Sequence, residues 1–158
     1  MSVLRPLTEP EFAKWREATI PAYAADKVAS GQWVKAESLE RSRKEYDELL
    51  PQGRNTPDHY FFAIVDSDSV AVGVLWFAVM KKFESRIAYV YDVAIDPGRR
   101  REGHAERAFT ELEDEIRELG LAGIALHVFG HNTVAQALYA KLGFKPTNIS
   151  LFKPVGPV

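Results

Sequence analysis

An α+β domain with a largely antiparallel sheet is the fold class this sequence predicts, on three observations. Three β-rich runs follow one another in the middle of the chain, separated only by short polar turns. Helical periodicity flanks that block on both sides. After it, a strand, a helix and another strand succeed one another between Ile87 and Phe129, an order that calls for one parallel crossover.

The elements follow in order. Val3 to Leu7 reads as a short strand. Thr8 with Glu11 three residues later forms a capping box, and Pro10 falls where a first-turn proline is tolerated. Phe12, Trp15, Thr19, Ala22, Tyr23 and Asp26 then recur at three- and four-residue spacing, a helix that Pro21 is expected to kink or split. A second helix is expected from Glu37 to Leu49. Leu39, Ser42, Tyr46 and Leu49 mark its inner stripe, while Glu40, Arg41, Lys44, Glu45 and Asp47 mark a solvated face.

Tyr60 to Val65 and Val70 to Met80 read as two strands joined through Asp66–Ser69, and Ile87 to Ile95 as a third after the turn at Phe83–Arg86. Asp96-Pro97-Gly98 ends that run. Ala105, Ala108, Phe109, Leu112, Ile116 and Leu119 trace a helix that stops at Gly120. A strand from Ile124 to Phe129 precedes a helix capped by Asn132 and closed at Gly143, and a final strand is expected at Ile149–Lys153.

With 158 residues, the chain is read as a single domain spanning 1–158. It carries 20 Lys and Arg against 22 Asp and Glu, a balance that argues against nucleic acid as a partner. The longest apolar stretch, Ala71 to Met80, is too short to cross a bilayer, and the N-terminus lacks the apolar core of a signal peptide, so no membrane partner and a cytoplasmic location are expected. Without cysteine there is no disulfide, no Cys-based zinc site and no thiol nucleophile. The spacing of His127 and His131 spans a strand-to-loop junction, which spoils metal geometry, so no metal is expected. His131 reads as a cap or surface residue.

Charge is unevenly spread. Between Gly98 and Arg107 four arginines against Glu102 and Glu106 leave +2, and the rest of the chain therefore holds -4 of the net -2. That basic loop joins a strand to a helix N-terminus, where free N–H groups and the helix dipole favour an anion. The small residues Gly103 and Ala105 let a phosphate approach the main chain.

Two segments together resemble the GNAT superfamily of N-acetyltransferases, among them its small bacterial members. Arg100-x-x-Gly103-x-Ala105 is similar to the family's pyrophosphate loop. Asn132-x-x-Ala135-x-x-Leu138-Tyr139, followed by Gly143-Phe144, is similar to its C-terminal signature. The resemblance implies a mixed, mostly antiparallel sheet flanked by helices and splayed between the fourth and fifth strands. It also implies acetyl-CoA as co-substrate. Its pantetheine arm would lie along Val93, Ala94 and Ile95, and its pyrophosphate over Arg100, Arg101, Gly103, His104 and Ala105, with Asn132, Ala135 and Tyr139 beside it. Glu102 is an acidic departure in that loop, and His104 replaces a residue that is more often small, apolar or aromatic.

On that reading Tyr139 is the general acid that protonates the leaving thiolate. His127 is the first candidate for general base. It lies twelve residues before the tyrosine, where family members acting on protein N-termini often carry a glutamate. Asp92, an acid within the apolar run from Ala88 to Val93, is the second. The implied activity is transfer of an acetyl group to a primary amine, on a small molecule or a peptide, by direct attack in a ternary complex. Acceptor recognition falls to the first two helices, near Tyr23, Asp26, Trp33 and Tyr46. The alternative is a CoA-binding module without turnover; a nucleotide-phosphate site lacks the lysine-serine/threonine loop ending and the Rossmann glycines. A homodimer stays open, since unpaired sheet edges can serve one or be covered.

Overall fold

The computed structural model of the chain describes residues 3–157. Five strands form one sheet in the order β1 (Leu4–Pro6), β2 (His59–Val65), β3 (Ala71–Lys82), β4 (Ser85–Ile95) and β5 (Ile124–Leu126). The first four are antiparallel, and β5 joins β4 in parallel. Helices α1 (Glu9–Ala29) and α2 (Lys35–Leu49) cover one face, and α3 (His104–Glu118) packs on the other. A short α4 (Thr133–Lys141) follows β5, tied to α3 by Lys141 Nζ donating to Glu106 Oε2 at 3.0 Å.

The predicted capping box forms. Thr8 Oγ1 accepts from the Glu11 N–H, and the Glu11 carboxylate accepts from the Thr8 N–H while gripping Arg5 at 2.8 Å through both oxygens. Those charge-assisted bonds, the Arg5 guanidinium first among them, pull the Glu11 carboxyl down to about 2.

Pro21 does not split α1 into two helices. The helix runs unbroken because Ile20 and Ala24 are buried against α2, where the Ser42 hydroxyl donates to the Ile20 carbonyl at 2.7 Å. Tertiary packing outweighs the local cost of the proline. The inner stripe of α2 also turns by one position: Ser38, Ser42 and Tyr46 are buried, and Leu39 is exposed.

Two further expectations fail. The fifth strand is three residues long, and residues 127–129 lie outside the ladder. The sixth, at Ile149–Lys153, does not form: residues 145–157 are irregular. Alternating apolar residues specify a strand only where an edge is there to pair with it.

Candidate active site

The site grows from two irregularities in the sheet. Pairing between β4 and β5 covers only Ala88–Val90 against Ile124–Leu126, so beyond Val90 the sheet opens and β4 continues alone along one side of a gap. At the same level β4 carries a bulge against β3: Trp76 pairs with Asp92 and Phe77 with Val90, which leaves Tyr91 as the extra residue. The bulge brings two consecutive residues to the aromatic cluster of that face, Tyr91 to Trp76 of β3 and Asp92 to Trp15 of α1. Tyr91 stacks on Trp76 with ring centroids 4.5 Å apart, and Asp92 Oδ2 accepts from Trp15 Nε1–H at 2.8 Å.

The last stretch of β4 has one main-chain edge in use and one open. Asp96 N–H donates to Val72 O at 2.8 Å. Alternation along the antiparallel ladder then turns the groups of Ala94 toward β3 and those of Val93 and Ile95 toward the gap. Of the three predicted positions, Ala94 therefore has its main-chain groups in the ladder. Ile95 O accepts from Arg100 Nε at 3.2 Å, and the Val93 N–H bonds the Asp92 carboxylate. Opposite Ile95, Gly73 is required by space: a Cβ there would stand 2.3 Å from Ala94 O. Sequence reading passed over this glycine, whose only signal is its place inside a long apolar strand.

Asp92 is the most perturbed acid near the gap. Partial burial pushes its carboxyl up to about 6; the Trp15 N–H pulls the other way, the charge of Asp26 adds to the rise, and the Val93 N–H opposes it. Tyr139, on α4, is partly buried between Phe109 and Phe144, with ring centroids 5.8 and 5.7 Å away. Burial first, and then the charge of Asp92, raise its phenol to about 12. His127 stands in the open segment after β5, exposed, with the Phe129 ring edge-on at 5.0 Å. Partial shielding and then the charge of Lys27 hold its imidazole below the usual value.

The outer wall of the gap comes from the second half of α1. Tyr23 lies between Trp33, Tyr46 and Phe129, and burial pushes its phenol up to about 12. Asp26 Oδ1 meets His131 Nε2 at 3.3 Å, so His131 ties the segment after β5 to α1. Trp15 joins the predicted residues here through a contact across the sequence that no local pattern announces, and Asp26, named for acceptor recognition, lies beside it through its contact with His131.

The basic loop is more committed than its sequence suggests. Glu102 is drawn aside, its Oε1 accepting from Arg99 Nε at 3.2 Å and meeting His104 Nε2 at 2.8 Å, while Arg99 also bonds Asp66 Oδ2 at 2.9 Å. His104 is buried, with Nδ1 3.0 Å from an Arg107 nitrogen, so its ring is spent on the loop and only its main-chain N–H is at the helix start. Gly103 takes φ 80 as the cap of α3, and the first turn from His104 through Glu106 leaves N–H groups free at the helix end. Ala105 is partly buried and Arg101 exposed beside them. Asn132 Oδ1 accepts from Ala135 N–H at 3.2 Å as the cap of α4, leaving its amide nitrogen. Among the described residues, no group of three His, Asp or Glu side chains is arranged to hold a metal ion.

The sequence profile of the Acetyltransferase (GNAT) family matches residues 17–144. The chain is a GNAT-family acetyltransferase. It is 34% identical over 150 residues to the uncharacterized N-acetyltransferase YdgE of Bacillus subtilis, covering 95% of this chain and 96% of that one. The crystal structure of YycN from Bacillus subtilis is 30% identical, covers 98% of both chains and superposes with a TM-score of 0.92. A shorter match, 32% identical over 62 residues, joins 39% of this chain to 43% of the [ribosomal protein bS18]-alanine N-acetyltransferase of Haemophilus ducreyi. In this acetyltransferase, as predicted, the opening lies between the fourth and fifth strands. No helix of the described residues is long and apolar enough to cross a membrane.

Proposed function

We propose that the chain, acting as one acetyltransferase domain over 1–158, moves an acetyl group from acetyl-CoA to a primary amine by direct attack in the gap between β4 and β5. One observation carries this reading. The Asp92 carboxyl is pushed up to about 6 and the Tyr139 phenol to about 12, in part by the charge of Asp92, so at pH 7–8 a deprotonated acid and a protonated phenol influence one another beside the gap. Two groups poised on either side of neutrality are what amine attack and thiolate departure require.

The gap-facing main-chain edge of Val93 and Ile95 fits an extended amide-bearing arm, to which Arg100 would release the Ile95 carbonyl and the Asp92 carboxylate the Val93 N–H. The free N–H groups at the start of α3, with Arg100 and Arg101, fit phosphate oxygens. The donor supplies an activated acetyl thioester. Asp92, directly or through a water, takes a proton from the ammonium of the acceptor. The amine nitrogen then bonds to the carbonyl carbon, whose oxygen is met by the Ile95 N–H. As the carbon–sulfur bond breaks, Tyr139 gives its proton to the departing sulfur, and the second proton that the nitrogen sheds as the amide forms restores the phenol, directly or through water. Asp92 takes precedence over His127 as base because its charge reaches Tyr139, whereas His127 stands exposed at the rim.

Acceptor choice falls to Tyr23, Asp26 and the residues around His131, where an acidic group beside aromatic rings suits a cation. The Haemophilus relative acts on an alanine of a ribosomal protein, which directs the first trials to peptide N-termini, followed by small amines. A cytoplasmic setting goes with this reading. The test is release of free thiol from acetyl-CoA across an amine panel. Amine-dependent release is expected; binding of acetyl-CoA with no release on any amine would favour a CoA-binding module instead.

A further inference from the structure

Glu102 stands where an acid is least expected, in the loop whose free N–H groups and arginines fit phosphate oxygens. A carboxylate left loose there would repel them. This one is not loose. Its Oε1 accepts from Arg99 Nε at 3.2 Å and meets His104 Nε2 at 2.8 Å. On the far side of that buried imidazole, Arg107 Nη2 lies 3.0 Å from Nδ1. A guanidinium can only donate, so Nδ1 accepts, and the ring proton on Nε2 goes to Glu102. The same Arg107 nitrogen donates to the Glu102 carbonyl at 3.0 Å. Side chain and main chain of Glu102 are therefore both held. The residues on either side, Arg101 and Gly103, take φ 66 and 80. A residue with a Cβ stays in that region only where its surroundings fix it there.

The hold reaches beyond the loop. Arg99 Nη2 donates to Asp66 Oδ2 at 2.9 Å. Asp66 belongs to the turn between β2 and β3, where its Oδ1 accepts from the N–H groups of Asp68 and Val70. A run of charge-assisted bonds, Asp66–Arg99–Glu102–His104–Arg107, thus ties the loop before α3 to the body of the sheet. His104 first, and then Arg99, hold the Glu102 carboxyl below the usual carboxylate range. Arg101 has no part in this run, and Arg100 is turned to the Ile95 carbonyl.

We propose that Glu102 is a positioning residue for the acetyl donor: gripped by Arg99, His104 and Arg107, it sets the loop so that the N–H groups at the start of α3 face the pyrophosphate before the donor arrives. The proposal rests on the reading of this loop as the pyrophosphate site. It makes a forecast opposite in sign to simple repulsion. An acid that only repelled phosphate would, on removal, let acetyl-CoA bind more tightly; an acid that orders the loop would, on removal, let it bind more weakly.

Titration calorimetry with acetyl-CoA and with S-acetylpantetheine, which keeps the thioester arm and lacks the pyrophosphate, separates the two. The unaltered chain is expected to prefer acetyl-CoA. Glu102→Ala should bind acetyl-CoA about tenfold more weakly and S-acetylpantetheine within a factor of about two of the unaltered chain. Glu102→Gln, which keeps an oxygen for the His104 N–H, should recover part of that loss. Asp66→Asn keeps an oxygen for its turn and gives up the Arg99 partner; it should weaken acetyl-CoA by a smaller factor, although it too removes a negative charge. Acetyl-CoA held by Glu102→Ala as tightly as by the unaltered chain, or more tightly, overturns the proposal. So does an equal loss for both thioesters, the mark of general damage to the fold. An unaltered chain with no preference for acetyl-CoA overturns the pyrophosphate reading itself, and the positioning role with it.

Discussion

On one face of the sheet, α1 and α2 enclose Phe12, Trp15, Tyr46, Phe61 and Trp76; on the other, α3 encloses Val72, Leu75, Leu112 and Ile116, and the buried rings there, Phe77 and Phe109, carry no polar atom. The aromatic face holds polar groups inside. Trp15 donates to Asp92, and Trp76 Nε1–H donates to His59 Nδ1 at 2.9 Å, which fixes that imidazole as a neutral acceptor. The buried core under α3 has no indole, the Tyr139 phenol lies only partly buried at its margin, and His104 is satisfied by the loop instead. Indole rings combine a large apolar surface with one N–H, so a carboxylate can sit within a packed core without being left unpaired.

That contrast sets the order of effects. Tyr139→Phe, on the short helix that borders the gap, keeps the ring packing and deletes the proton. Turnover should fall about 100- to 1,000-fold while acetyl-CoA affinity stays within a factor of about two. Unchanged turnover on a genuine substrate would remove Tyr139 from the reaction. On the aliphatic face, Leu112→Ala should cost about 2–5 kcal/mol of stability in denaturant unfolding and leave the pH dependence of activity where it was. If it moves the pH profile, the two faces are not separable as argued.

Asp92 should act in the opposite sense on stability. Its folded pKa lies above its unfolded value, so the stability tied to its protonated form is complete below about pH 4 and lost as pH rises through about 6. Asp92→Asn removes that loss. The variant should therefore match the unaltered protein at pH 4 and exceed it at pH 8, by an amount on the order of 2–3 kcal/mol. Glu11, held near 2, runs the other way: its stabilisation is present above about pH 4.5 and drains as pH falls toward 2. Trp15→Phe is the smaller perturbation, with a cost of about 1–3 kcal/mol from the lost donor. It should also push the Asp92 titration upward, which a purely structural role for Trp15 would not do.

Legibility in the sequence followed the range of the interaction. The capping box at Thr8 and Glu11, the helix stops at Gly120 and Gly143, and the loop before α3 depend on residues a few positions apart, and all were readable. Tyr139 and Asn132 are named by a motif, the resemblance to the family's C-terminal signature, rather than by local chemistry. What escaped depends on contacts between distant segments. The bulge that aims Asp92 at Trp15 has no local signature. Gly73 and the unbroken course of α1 through Pro21 have the same origin. The segment Ile149–Lys153 shows the limit most plainly, since its alternation reads as a strand in any chain, and whether it becomes one depends on which edge is free.

The central claim is that Asp92 accepts the proton in the gap between β4 and β5, and the acidic limb of the pH dependence of kcat/KM with a competent amine tests it most directly. The unaltered enzyme should gain activity as pH rises through about 6. Asp92→Asn should abolish that limb along with most of the activity, and His127→Ala should keep it. A limb that persists in Asp92→Asn and vanishes in His127→Ala would contradict the account and return the role of base to His127.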